Sequence, residues 1–113
     1  MEIIYYETAS GEKPASDYID SLPVKARQKV FRTIGLLESL GRQLKRPFSS
    51  PLRDGILELR TQFASDQFRV LYFFVVGDKA ILTNGFTKKT DQVPDDEIER
   101  AKRYRTDYES RNK

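Results

Sequence analysis

Cysteine and histidine are both missing from this chain of 113 residues. Without cysteine there is no disulfide framework and no thiolate metal site, so a reducing compartment is compatible with the composition. Without histidine the commonest general base and the commonest zinc ligand are gone, which leaves Arg, Lys, Tyr and carboxylates to carry any catalysis. No metal or other cofactor is expected. No apolar run approaches the ~20 residues of a membrane span, and Met1-Glu2 does not open a signal peptide, so a cytoplasmic protein is the expectation. The length suits one domain over residues 1–113 with a single core and no staples, residues 110–113 being expected to be disordered.

What is present is charge, unevenly spread. Residues 1–22 carry one Lys against five acids, whereas residues 23–53 carry eight Lys/Arg against one Glu, a local balance of +7 within a net charge of +3. The remaining two stretches, 54–93 and 94–113, each balance to zero. Such a basic block is either the footprint of a polyanion or a solvated helix face, and charge alone does not separate the two.

The chain is organised around Ile56 to Lys89, which reads as two consecutive hairpins: Ile56 to Phe63, Gln67 to Val76 and Lys79 to Phe86, closed by Thr87-Lys88-Lys89. The run from Phe68 to Val76 is β-branched and aromatic with no alternation beyond Arg69, the pattern of a central strand covered on both faces. Gly77-Asp78 reads as a two-residue turn, which sets Val76 opposite Lys79 and Arg69 opposite Phe86. Side chains two apart share a face, so Lys88 joins Arg69 and Phe86. A second two-residue turn at Ser65-Asp66 brings Glu58 and Arg60 to that face and leaves Leu57 and Leu59 with Val70, Tyr72 and Phe74. A three-residue loop from Ala64 would reverse them.

Around this sheet, Glu2 to Tyr6 reads as a short strand, and Pro14 opens a helix with Ala15, Tyr18, Ile19 and Leu22 on one side. Pro23 starts a second helix, Val24 to Leu40, whose stripe is Ala26, Val30, Ile34, Leu37 and Leu40, with Lys25, Lys29 and Arg32 on the other side and Gly41 as its stop. Arg42 to Gly55, containing Lys45-Arg46-Pro47, reads as a basic loop. Pro94 and Asp95-Asp96-Glu97 open a last helix with acids first and bases later, and Ile98, Ala101, Tyr104 and Tyr108 as its packing stripe. The fold class expected is α+β in the order β-α-α-β-β-β-α, a mostly antiparallel sheet with a two-helix hairpin and a C-terminal helix.

Leu57-Glu58-Leu59-Arg60, Phe68-Arg69-Val70-Leu71-Tyr72 and Asn84-Gly85-Phe86-Thr87-Lys88-Lys89-Thr90, together with Leu52-Arg53-Asp54-Gly55 and Pro94 to Ala101, resemble the HigB branch of the RelE/ParE toxin superfamily, including its phage-derived members. The resemblance spans nearly the whole chain. It implies a toxin held inactive by a HigA-like helix-turn-helix antitoxin and, once freed, cutting messenger RNA, usually on the ribosome. It further implies metal-independent attack of a ribose 2′-hydroxyl on the adjacent phosphate, with Arg60, Arg69, Lys88 and Lys89 in the catalytic positions. Several relatives use a histidine or a late tyrosine to move protons, and some carry a lysine where this chain has Glu58. Glu58 and Tyr72 are therefore the candidate bases here, Tyr72 facing away from Arg69 by the register above.

Each assignment has a plainer counterpart. Arg69 could form a cross-strand ion pair with Glu58 or Asp66, Lys88 and Lys89 could simply solvate a strand end, and Phe86 could stack on a base or belong to the core. Lys29, Arg32, Lys45 and Arg46 are candidate RNA-phosphate contacts. Two further function classes stay open: a ParE-like gyrase inhibitor, and a noncatalytic protein- or RNA-binding module.

Overall fold

The fold comes from a computed structural model that describes residues 1–112. In chain order the elements are β1 (Glu2–Tyr5), α1 (Pro14–Asp20), α2 (Val24–Leu40), β2 (Ser49–Arg53), β3 (Ile56–Phe63), β4 (Asp66–Val75), β5 (Lys79–Lys88) and α3 (Asp95–Arg111), with a 3₁₀ turn at Gly41–Gln43. The strands form one sheet ordered β1-β5-β4-β3-β2, antiparallel except where β1 runs parallel to β5. β4 lies in the middle, as its unbroken apolar run requires. Its Phe68, Val70 and Tyr72 pack under α1 and α2 with Ile19, Val30 and Leu37, while Leu71 and Phe73 pack under α3 with Ile98 and Ala101. Each such side chain contributes roughly 1.5–3 kcal/mol on burial, so the two-sided core holds both helical layers to one sheet.

The order differs from the expected one by a strand. Ser49–Arg53, inside the stretch read as a loop, pairs with β3. Its cause is Asp54-Gly55, whose φ values of +54° and +82° close a two-residue turn that sets Arg53 opposite Ile56. Asp-Gly is a favoured pair for such a turn because both places need φ above zero.

Two registers were reached by an unexpected route. Between β4 and β5 the turn is one residue longer than Gly77-Asp78 implies, pairing Val75 with Lys79, and an irregularity follows in which Leu71 pairs with Asn84 and Tyr72 with Leu82. Thr83 is thus the extra residue of a β-bulge, its hydroxyl donating to the Leu71 carbonyl at 3.1 Å. The bulge restores the pairing of Arg69 with Phe86. Between β3 and β4 the turn is Ala64-Ser65, one place earlier than Ser65-Asp66, and Arg60 stands opposite Arg69. Parity is unchanged, so Glu58 and Arg60 share the face of Arg69.

Helix boundaries follow their breakers. α2 runs from Val24 to Leu40 between Pro23 and Gly41, and Gly41 has φ +56° and donates its N–H to the Leu37 carbonyl. Ala26, Val30, Ile34 and Leu37 are buried as the stripe predicts, but Leu40 is 48 % exposed. One turn beyond Leu37 the buried place is taken by Gly41, against the Met1 side chain. In α3 Tyr104 stacks on Tyr6 with ring centres 4.7 Å apart, and Tyr108 meets Phe73 edge-on. The helix continues through Ser110 and Arg111, where a disordered tail was expected, because Arg111 donates to the Asp107 carboxylate and the Glu7 carbonyl. Lys113 lies outside the described residues. Among those described, no helix is long and apolar enough to cross a membrane.

Candidate functional site

α3 begins at Asp95 and covers the Leu71 and Phe73 part of the sheet, which leaves the far ends of β3, β4 and β5 open beside the segment joining β5 to α3. Alternation along the strands brings Glu58 and Arg60 from β3, Gln67 and Arg69 from β4, and Phe86 and Lys88 from β5 to this side. A cleft of about 390 Å³ opens there, with Glu58 at its floor and Arg46, Arg60 and Lys88 on its walls. Arg53, Asp91 and Asp95 line its outer part.

The buried member of the group is Arg69, which is only 2 % exposed and so is not open to solvent as the catalytic position expected for it would be. Its Nε lies 3.0 Å from Glu58 Oε1. The two atoms are not aligned as a hydrogen bond, which makes the contact ionic. Nη1 donates to the Phe68 carbonyl at 3.1 Å and Nη2 to Gln67 Oε1 at 2.8 Å. Burial lowers the Arg69 pKa from its ordinary value, the Glu58 carboxylate opposes that, and Arg60 adds to it. Like charges directly opposite on neighbouring strands are unfavourable. Glu58 offsets that repulsion and is itself fixed by it.

The other candidates separate by face. Lys88 stands opposite Gln67 and enters the cleft, but Lys89 is exposed and lines a different hollow on the α1–α2 side, beside Pro23 and Phe63. The lysine pair is therefore divided by strand alternation. Lys29 and Arg32 sit on α2, across the sheet from the cleft. Of the loop pair, Arg46 lines the cleft and Lys45 is exposed outside it. Phe86 is half-buried and packs against the α3-side core. Tyr72 is buried on the opposite face, where its hydroxyl meets Ser49 Oγ at 2.5 Å and burial raises its pKa. Of the two candidate bases, Glu58 and Tyr72, it is Glu58 that lies in the cleft.

Several contributors were not anticipated. Arg53 bridges Asp95 at 2.8 Å and Glu99 at 2.9 Å, tying β2 to the start of α3. Asn84 Nδ2 donates to the Glu97 carbonyl and carboxylate at 3.2 and 3.0 Å, fixing the same helical turn to β5. The Asp54-Gly55 pair was the signal that could have placed Arg53 here. With Arg53 neutralised, Arg46, Arg60 and Lys88 are the cleft cations without an ion-pair partner among the described residues.

Fold and cleft together define a small α+β protein with a mostly antiparallel five-stranded sheet, three helices and a cation-lined cleft floored by one carboxylate. No curated protein matches the chain. The model of the phage derived protein Gp49-like family matches residues 17–106, a span that includes every cleft residue named above. The chain belongs to this family, which is toxin-like, of the RelE/HigB type, and its membership is compatible with the toxin of a toxin–antitoxin system.

Proposed function

We propose that this protein is a HigB-like toxin that cuts messenger RNA on the ribosome, the cleft at the sheet end being its active site. The observation that carries this reading is the convergence of three unpaired cations, Arg46, Arg60 and Lys88, on a carboxylate held in place by a buried arginine. Cations bind the phosphates, and the carboxylate supplies the proton acceptor that the absent histidine would otherwise provide.

In the reaction, the ribose 2′-oxygen attacks the neighbouring phosphorus and Glu58 takes the hydroxyl proton. Arg60 donates to the phosphorane oxygens, where a preorganised donor is worth most because charge grows there. The bond from phosphorus to the 5′-oxygen breaks, Lys88 protonates that oxygen, and the products are a 2′,3′-cyclic phosphate and a 5′-hydroxyl. Arg46 holds a flanking phosphate. Arg69 acts through Glu58 as a positioning residue, and Lys89 lies outside the chemistry. A naked chain positions RNA poorly, so the ribosome supplies alignment of the 2′-oxygen. By analogy with HigB, a HigA-like helix-turn-helix antitoxin neutralises the toxin.

Primer extension on transcripts from cells expressing the chain tests this. Cuts should appear with the wild type, survive EDTA in a reconstituted translation reaction, and vanish on message carrying a 2′-deoxy sugar at the cut position. Arg60→Ala should lower the cutting rate about 10²–10³-fold, the usual cost of one such donor, and Lys88→Ala should also impair it. Growth arrest that persists with uncut transcripts would overturn the nuclease reading in favour of a gyrase inhibitor or a binding module.

A further inference from the structure

Arg60 borders two depressions, the cleft and a neighbouring hollow of about 300 Å³. One wall of the second is Pro47-Phe48, and its bed is the cross-strand pair Gln62–Gln67 with Arg69 beneath. Phe48 is 42 % exposed, one of the few large apolar side chains presented to solvent. Its backbone is pinned, because the Arg60 N–H donates to the Phe48 carbonyl at 2.8 Å and the Phe48 N–H to the Lys45 carbonyl at 3.0 Å. The Gln67 amide is oriented too. Its Oε1 accepts from Arg69 Nη2 at 2.8 Å, which leaves the NH₂ as its free, donating end.

We infer that this hollow is a nucleobase subsite, accepting the base of a single-stranded RNA nucleotide whose phosphate lies in the adjoining cleft. The inference rests on the nuclease reading and adds to it the part of the substrate that is not phosphate. An exposed aromatic ring offers a stacking face to any base. Two neighbouring amides and no carboxylate suit a flat, neutral, hydrogen-bonding ligand, and the fixed Gln67 donor favours a base edge that presents a carbonyl oxygen. Sharing Arg60 makes the two depressions contiguous, so one nucleotide can occupy both. Phe86, the aromatic expected to stack, is packed into the α3-side core, whereas Phe48 is free to do so.

Fluorescence anisotropy on the full chain tests the subsite, using a short uncleavable 2′-O-methyl oligonucleotide of mixed sequence and an abasic backbone of equal length and charge. The wild type should bind the base-bearing strand more tightly. Phe48→Ala should weaken that binding by about fivefold or more, from the usual worth of one stacked base, and leave the abasic strand unaffected. Phe48→Trp should retain the wild-type preference, and Gln62→Leu should change the ranking among homopolymers without changing abasic binding. Phe48 is exposed, so these variants should fold, and circular dichroism checks that they do. Equal weakening on both strands, or none on either, overturns the subsite while the nuclease reading stands. A wild type that binds neither strand, even with the ribosome present, overturns the nuclease reading and the subsite with it.

Discussion

Arg69 keeps a full positive charge beneath the sheet end, because a guanidinium does not give up its proton in a protein, and the single carboxylate beside it is Glu58. Removing either partner strands the other in a poorly hydrated place. Arg69→Ala should cost about 3–5 kcal/mol of stability, the usual penalty for breaking a buried pair. Urea unfolding measures this, and Arg69→Met combined with Glu58→Leu should recover most of the loss. A midpoint unchanged by Arg69→Ala would refute the account. Any loss of the proposed activity in that variant therefore reports on folding as well as chemistry. Sequence reasoning placed Glu58, Arg60, Arg69 and Lys88 on one face, because alternation depends only on parity, and it weighed the Glu58 ion pair for Arg69. It could not see depth. Whether an arginine at a strand end reaches water depends on the Phe68 carbonyl, Gln67 and Glu58 closing around it, and that closure is a property of two paired strands at once.

The elements divide between those with local punctuation that was used and those without. Pro23 and Gly41 bound α2, and Pro94 with its three acids opens α3; each acts within a turn of the helix it bounds, so these were legible. β2 was missed because Arg42 to Gly55 was read by its prolines and charge, although Asp54-Gly55 carried the hairpin signal. A glycine settles the fit between α1 and β5. A Cβ on Gly85 would lie 2.3 Å from Tyr18 Cδ2, and the same tyrosine shares a hydrogen bond of 3.0 Å with Thr87. Gly85→Ala must push the ring away and break that bond. It should cost about 1–3 kcal/mol, as overpacking does, and lower the melting temperature. Adding Tyr18→Ala should remove part of the cost, since the two residues touch.

Taken whole, the molecule has two unlike sides, and under the proposed nuclease function its salt response should reveal which one meets RNA. Neutralising Arg46 and Lys88 together should reduce the log–log salt slope of RNA binding by about two, roughly one for each lost phosphate contact. Lys29→Gln with Arg32→Gln, across the sheet, should leave RNA cutting at saturating concentration intact. An unchanged slope in the first pair would remove the cleft from the binding surface. Alkaline stability reads a different end. Tyr6 is buried and donates to the Asp107 carboxylate at 2.5 Å, and burial followed by that bond and charge pushes its pKa to about 12 against the opposing pull of Arg111. A pKa raised by folding means that the folded state holds the proton longer. The contribution is present below pH ~10, the unfolded value, and is lost as pH climbs through about 12. The stability advantage of wild type over Tyr6→Phe should therefore shrink across that window in pH-dependent urea unfolding, and a constant difference would contradict it. Finally, the Thr83 bulge works as a phase reset along β5. The turn at Val76-Gly77-Asp78 sets one phase, and beyond the bulge the strand runs in another, the one that aims Lys88 into the cleft. Without the reset Thr87 would stand opposite Gln67 and Lys88 would turn to the other face, so the lysine of the cleft depends on the three-residue turn and the one-residue bulge acting together. Val76, 97 % exposed at that turn, is a position where a side-chain fluorophore can be attached without altering the turn length, so the cleft keeps its geometry.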